Sequence, residues 1–402
     1  MNVTTERSSA LERSREVIAR RHGMRKRIAD FYLACIANEK GKVLSLFRSL
    51  FFILSRFYYI AIKVRWLIHR LGVVPQTRVP CTVISVGNIT WGGTGKTPAV
   101  IMIAKLLQKM GKRVAVLSRG YRREKREDKK SEISIVSNGK RVILSSREAG
   151  EEPYLLSKNL PGVPIIVGRN RIEAGKYVIE RFGTEVLVLD DGFQYWRLTR
   201  DLDIVAIDSL NPYGNGYLIP RGPLREPISH LSRADIFLLT RANLVPRKDL
   251  DRIIGDLGRL NPESIILESV HRPKYLQGYF SGQKESLNFI KDRRVVAFSS
   301  IGNPYSFEKT LEGLGAKIIK IFQFPDHHNY DGRDLREIEA ICRTDLEKGK
   351  AIAVTTEKDG VQLEKFISPG ADRVFWEIWM LKVELEIVRG KEEWRRKIEP
   401  YI

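Results

Sequence analysis

Short continuous apolar runs alternate with stretches of helical period along most of this chain. Residues 82–86, 113–117, 163–167, 186–189, 204–207 and 236–239 are largely apolar runs of strand length, interrupted only by Thr82 and Ser85 in the first and Arg113 in the second. Such runs read as strands buried on both sides. Between them, residues 99–110, 148–158 and 171–182 repeat apolar positions at helical spacing, and Gly111 closes the first of these. Strands of this kind alternating with helices predict a mostly parallel α/β sheet covered on both faces. The segment ISIVSNGKRVILSS alternates about Asn138-Gly139 and predicts a hairpin.

Beyond Val270 the alternation resumes. Strands are expected at 295–299, 318–324 and 351–354, with helices at 305–314 and 335–346. Near the end, Lys382, Glu384 and Glu386 alternate with Leu381, Val383, Leu385 and Ile387, a half-exposed strand. The pattern places a first α/β domain at 73–285 and a smaller α/β domain at 286–402. Residues 211–230, NPYGNGYLIPRGPLREPISH, form a connection too long to be a mere turn, and loops of that length usually carry function.

The first 72 residues break the pattern. Residues 1–42 are a basic, mixed-charge extension with helical character at 9–27 and an Arg25-Lys26-Arg27 cluster. Residues 43–72 are aromatic and aliphatic but interrupted by Arg48, Arg56, Lys63, Arg65 and Arg70. At roughly 100° per residue, Arg48, Arg56, Lys63 and Arg70 share a sector of about 80°. The interruptions argue against a spanning helix, and a basic stripe opposite a broad apolar face suits a helix lying in the membrane interface. A core-facing helix of a soluble domain is the alternative.

Charge sharpens this. The chain of 402 residues has a formal net charge of +21, which calls for an acidic partner: nucleic acid, anionic lipid or a phosphorylated substrate. Residues 1–80 hold 16 Lys and Arg against 5 Asp and Glu, so about half of the excess lies beside the apolar face, where anionic lipid would attract it. Cys35, Cys81 and Cys342 form no C-x-x-C pair, which argues against zinc or a disulfide framework. The charged first 30 residues do not read as a cleavable signal peptide.

The candidate chemistry begins at TVISVGNITWGGTGKTP, residues 82–98. A strand, a turn through Gly92, Gly93 and Gly95, and a helix starting at Lys96-Thr97 make an anion cradle of backbone N–H groups and helix dipole. Residues Thr90, Trp91, Gly92, Gly93, Thr94, Gly95, Lys96 and Thr97 are the expected nucleotide contacts. Lys96 would meet the β/γ-phosphates and the Thr97 hydroxyl a Mg²⁺ ion. Thr90 stands where that motif has its first glycine. The strand ending in Asp190 supplies the expected metal carboxylate, and Asp191 follows on the opposite side of the chain. Transfer to an alcohol also needs a proton acceptor. Glu151, Glu152, Asp191, Asp208 and His327 are the candidates, and spacing does not choose among them. Arg119, Arg122, Arg221 and Arg225 could bind an anionic substrate. TEKD at 356–359 echoes a guanine-reading motif, so a phosphate-loop GTPase or metallochaperone stays open, as does a nucleic-acid-dependent ATPase.

Eight segments in order resemble the tetraacyldisaccharide 4'-kinase family, the lipid A 4'-kinases. They are VGNITWGGTGKTP (86–98), SRGYRR (118–123), AGEEP (149–153), VLDDGFQ (188–194), GNG with PRGPLREP (214–227), IGNP (301–304), DHHNY (326–330) and TEKDGVQL (356–363). That family similarly lacks the first glycine of the loop. The resemblance implies a phosphate-loop NTPase-like fold with a second, smaller α/β domain. It also implies ATP and Mg²⁺ as cofactors, and transfer to the 4'-hydroxyl of an acylated glucosamine disaccharide 1-phosphate. A peripheral place on the cytoplasmic face of the bacterial inner membrane follows, with an anionic membrane surface and no nucleic acid as partner. Residue by residue it implies Lys96, Thr97, Asp190 and Glu152 at phosphate and metal, and Tyr121 at the nucleotide. Asp191, Gln194 and Arg225 fall to the disaccharide, and Glu151 with His327 to a catalytic pair. Two positions depart from the family pattern: Glu151 replaces an Asp, and Tyr195 a common His. An added methylene shifts a carboxylate by about 1.5 Å, and a misplacement of about 1 Å can cost on the order of 10²-fold in rate.

Overall fold

The computed structural model describes residues 31–37, 39–120, 133–343, 351–366 and 376–401. The expected helix at 9–27, Tyr121 and Arg122 lie outside the described residues. The chain divides into two compact units. One comprises the described residues of Met1–Leu67 with Tyr213–Ile228, the other Ile68–Pro212 with Ser229–Ile402.

Among the described residues of the second unit, thirteen strands make one sheet. They are β1 (Thr82–Gly87), β2 (Val114–Ser118), β3 (Ile133–Asn138), β4 (Pro164–Gly168), β5 (Val186–Asp190), β6 (Leu202–Asp208) and β7 (Ile236–Thr240). Then follow β8 (Ile265–Gly278), β9 (Lys284–Glu285), β10 (Arg294–Ser299), β11 (Lys317–Gln323), β12 (Ile352–Thr356) and β13 (Ile378–Arg389). Their order is β11-β10-β12-β13-β8-β7-β6-β1-β5-β2-β4-β3, with β9 beside β8. Only the β3/β4, β8/β13 and β8/β9 pairs are antiparallel.

The continuous apolar runs are explained by helices on both faces. Along β1, Ile84 and Val86 pack with Val100, Ile103 and Leu107 of the following helix, Lys96–Lys109. Val83, pointing the other way, joins Ala115, Leu187 and the helix Arg171–Phe182 through Ile172 and Val178. Ile103 and Leu107 are fully buried, each stabilising the fold by about 1.5–3 kcal/mol.

Among the described elements of eight residues or more, three went unread in the sequence. β8, a 14-residue strand, runs parallel to β7 and antiparallel to β13, so the sheet continues unbroken from β3 to β11. The helices Arg247–Leu260 and Lys391–Ile398 are the others. The expected hairpin forms, but it is short. Gly139 turns the chain at φ 85°, and the returning arm pairs antiparallel with β3 through the Ser137–Val142 bridge and the hydrogen bonds Asn138 N to Arg141 O at 3.3 Å and Ile143 N to Val136 O at 2.7 Å. The other edge of β3 pairs with β4.

In the first unit, Lys42–Arg70 is one helix of 29 residues, about 44 Å long at 1.5 Å per residue. Ser55 and Ile62 are its only buried residues among those described. Leu46, Ile53, Phe57 and Ile60 are more than half exposed. A stretch of 18 of its residues is long and apolar enough, by length and composition alone, to cross a membrane. Five charges over residues 43–72 argue against a spanning helix, but only Arg48 and Arg56 fall within the 18-residue stretch. The long loop packs within the same unit: Tyr58 Oη of this helix donates to Arg225 O at 3.1 Å, and Asn215 Nδ2 donates to Ile36 O, ahead of the helix, at 3.1 Å.

Candidate active site

β1 delivers the glycine loop to the edge where the parallel strands end, the usual ligand crevice of such sheets. A Cβ on Gly87 would sit 2.5 Å from Phe193 Cβ, so only glycine lets the two segments pass. Asn88 then braces the loop from within. Its Nδ2 donates to Thr90 O at 2.5 Å and to Thr94 Oγ1 at 3.0 Å, while its own carbonyl accepts from Gln194 Nε2 at 2.8 Å. Gly95, at φ 89°, is the cap from which Lys96 and Thr97 start the helix. No acidic residue occupies that first turn, so its dipole is left for an anion. Thr90 and Thr94 are buried, and Trp91 is exposed.

β5 is the neighbour of β1, with Val86 opposite Asp190. Ser118 Oγ donates to Asp190 Oδ2 at 2.9 Å. Asp190 Oδ1 is buried with no hydrogen-bond partner among the described residues. Burial, then the charges of Glu152 and Asp191, push this carboxyl up to about 7 against the pull of Ser118 and Lys96. A carboxylate so short of positive charge fits a divalent cation. Among the described residues no three acids, histidines or cysteines form a protein-only metal cage. Mg²⁺ held by one or two carboxylates and substrate phosphates needs none.

Asp191 adopts φ 53°, a left-handed corner that brings its Oδ1 to 3.8 Å from Lys96 Nζ. The corner is held from below by Arg171, which is buried. Its Nη2 donates to Asp190 O at 2.7 Å and its Nη1 to Asp191 O at 3.0 Å. Tyr195 turns its hydroxyl to this arginine, accepting from Arg171 N at 3.1 Å.

The facing wall starts at Gly150 (φ 90°), which opens the helix Glu151–Asn159. Glu151 Oε2 lies 2.6 Å from His327 Nδ1, and Gln362 Nε2 donates to Glu151 Oε1. The longer Glu side chain therefore does not lose the histidine. Burial raises the Glu151 pKa, but the His327 hydrogen bond and charge, with Lys358 and Gln362, outweigh it and hold the group below the ordinary carboxylate value. Lys358 Nζ sits 2.9 Å from Asp326 Oδ1 and 3.5 Å from His327 Nε2.

His327, at φ 62°, is anchored through its N–H to Ser300 O at 3.2 Å. Ser300 in turn donates its N–H, at 2.8 Å, and its hydroxyl, at 2.5 Å, to Asp359 Oδ1. Tyr330 Oη donates to the same oxygen at 2.9 Å, and Thr356 Oγ1 to Oδ2 at 2.6 Å. Asp359 is thus fully buried and fully used. It cannot read a guanine base, which removes the GTPase argument drawn from TEKD.

A cavity of about 860 Å³ is lined by Gly92–Pro98, Glu152, Asn303 and Lys358 among others. Glu151 and His327 are not on that wall; they adjoin it through Glu152 and Lys358. Of the proton acceptors weighed, Asp208 is taken by Arg241 at 2.8 Å. Arg225 belongs to the other unit. Arg171 and Arg241 carry no local sequence signal, because they act through long-range contacts; Gln362 stands in TEKDGVQL, but nothing in that motif assigns it to Glu151. Asp359 had one signal, the Thr-x-x-Asp spacing of a helix cap.

The sheet, the glycine loop on β1 and the buried acid on β5 define a phosphate-loop nucleotide-binding protein. More particularly, the sequence profile of the tetraacyldisaccharide-1-P 4'-kinase family matches residues 47–402, and the chain belongs to that family. It is 44% identical over 317 residues to the tetraacyldisaccharide 4'-kinase of Syntrophus aciditrophicus, covering 77% of this chain and 83% of the relative. With the Halothermothrix orenii tetraacyldisaccharide 4'-kinase it shares 37% over 395 residues, 94% and 99% of the two chains. The fold matches LpxK from Aquifex aeolicus, solved in complex with ATP, with TM-score 0.67 and 30% identity over 88% of this chain and 99% of that one.

Proposed function

We propose that the protein transfers the γ-phosphate of ATP to the 4'-hydroxyl of a tetraacyl-glucosamine disaccharide 1-phosphate, giving lipid IVA in lipid A biosynthesis. A phosphate loop alone would suit a hydrolase or a switch as well. The observation that carries the kinase reading is the Glu151–His327 pair held at 2.6 Å beside that loop, a base placed to take a hydroxyl proton.

In this reading the cradle from Thr90 to Thr97, with Tyr121, holds the nucleotide. The Lys96 ammonium lies against the β/γ-phosphates. Thr97, Asp190 and Glu152 would hold Mg²⁺, which supplies charge neutralisation at the transferring phosphoryl group. Asp191 and Gln194 orient the disaccharide. Glu151 accepts the 4'-hydroxyl proton as the new oxygen–phosphorus bond forms and the bond to ADP breaks. His327, bonded to Glu151, stabilises the carboxylate before transfer and shares the proton afterwards. The first α/β domain, to about residue 285, contributes loop and metal acid, and the C-terminal residues contribute His327.

The helix Lys42–Arg70 anchors the enzyme at the cytoplasmic face of the inner membrane, its apolar side in the interface and its basic stripe on anionic lipid. A four-chain lipid leaves the bilayer only at a large hydrophobic cost, so the kinase is brought to the substrate. The test is incubation with ATP, Mg²⁺ and tetraacyldisaccharide 1-phosphate in detergent micelles, with the 4'-phosphorylated product sought by mass spectrometry. Failure to form it, where an established kinase of this family does, overturns the assignment. Preference for GTP over ATP in competition would do the same.

A further inference from the structure

Asp208 and the IGNP segment (301–304) have no part in the chemistry above, yet both converge on the back of the phosphate loop. Arg241 turns the corner after β7 with a left-handed φ of 57° and is 7% exposed. Its Nη2 donates to Gly93 O at 2.7 Å, while Nη1 lies 2.8 Å from Asp208 Oδ2. Asn303 Nδ2 donates to the same Asp208 oxygen at 3.2 Å. The preceding Thr240 Oγ1 donates to Thr94 O at 2.9 Å. Gly93 is also pressed on Gly302: a Cβ at Gly302 would come 2.4 Å from Gly93 N.

These contacts bear on phosphate binding through peptide geometry. A trans peptide is planar, so holding a carbonyl on one side fixes the next N–H on the other. Thr240, gripping the Thr94 carbonyl, sets the Gly95 N–H; Arg241, gripping the Gly93 carbonyl, sets the plane before it. A carbonyl turned toward a triphosphate would repel it. The planar guanidinium reaches the loop and Asp208 together, which a lysine cannot do with equal geometry.

We propose that Arg241, paired with Asp208 and Asn303, is a positioning residue for the ATP phosphates: it draws the Gly93 carbonyl out of the cradle and seats the loop against the 301–304 turn. The proposal rests on the ATP reading above.

The experiment measures binding of a fluorescent ATP analogue and steady-state kinetics for the full chain and its Arg241→Ala, Arg241→Lys, Asp208→Asn and Gly302→Ala variants. Arg241→Ala should raise the ATP KM and the analogue Kd about 10-fold or more, with the disaccharide KM within about twofold. Arg241→Lys should recover part of the loss. Asp208→Asn and Gly302→Ala should move the same two constants in the same direction. If Arg241→Ala does not fold, the lysine and Asp208 variants decide alone. Unchanged ATP constants with only a lower Tm, or equal losses for both substrates, overturn the proposal. Absence of ATP binding by the unaltered protein would instead bring down the function on which it rests.

Discussion

Glu151 Oε2 and His327 Nδ1 meet at 2.6 Å although 176 residues separate them in the chain. The carboxylate enters on the first turn of a helix whose cap, Gly150, no side chain could replace without strain at φ 90°. The imidazole enters from a loop tied to Ser300. If the two act as one unit, Glu151→Gln and His327→Asn should each lower kcat by on the order of 10²–10⁴-fold. The double variant should be little worse than the poorer single one. Glu151→Asp should retain or raise activity, and its complete loss would remove Glu151 from the role of base. Turnover by product mass spectrometry reads all four.

Asp190 presents the reverse case, a residue strained in the free protein and needed in the reaction. Its Oδ1 has no partner among the described residues and its pKa is pushed up to about 7. Asp190→Asn should abolish transfer, as should Lys96→Ala, without lowering the thermal midpoint of the metal-free protein. Parallel calorimetry and activity assays check the pair of outcomes; a large fall in Tm for the Asn variant would contradict the argument.

Asp359 should behave as a structural keystone. It accepts from Ser300, Tyr330 and Thr356 in full burial. Asp359→Ala strands those donors at about 1–3 kcal/mol for each group left unsatisfied. A loss of roughly 3 kcal/mol, or about 4–5 °C in Tm for a unit of this size, is expected by thermal melting. Since Ser300 also anchors His327, kcat should fall with it.

His271 gives a pH signature. Burial first, and then the charge of Arg241, push its pKa down to about 3. Between that value and the ordinary 6.5 the unfolded chain binds a proton that the folded one refuses, so stability is complete above pH 6.5 and declines as pH falls. From pH 6.5 to 5 the loss should approach about 2 kcal/mol. Urea unfolding of His271→Gln should lack that increment; identical pH slopes for both proteins would rule it out.

The helix Lys42–Arg70 tests the membrane reading. Neutralising Arg48, Arg56 and Lys63 to Gln removes about 1 kcal/mol of attraction per charge at an anionic surface. Partition onto vesicles containing phosphatidylglycerol should weaken on the order of 10²-fold, with little change on neutral vesicles. Equal partition on both lipids would leave the basic stripe without a role.

What the sequence determined by itself is local. The run into Gly87, the glycine turn and the helix from Lys96 follow from backbone stereochemistry and apolar periodicity over some 25 residues, and the strand ending in Asp190 is legible for the same reason. The helix at 171–182 was readable from its spacing and its Gly183 stop. Only the tertiary structure decided which of five acids and histidines stand together, because neither spacing nor composition records contacts between segments far apart in sequence. It gave Glu151 to His327 and Asp208 to Arg241. β8, with its buried and exposed positions mixed, was lost for a related reason: it pairs with β7 on one side and β13 on the other, and its pattern belongs to neither neighbour alone. The turn at Asn138-Gly139 was legible because turn chemistry is local, while the pairing of β3's other edge with β4 was not, because that strand lies beyond an intervening helix.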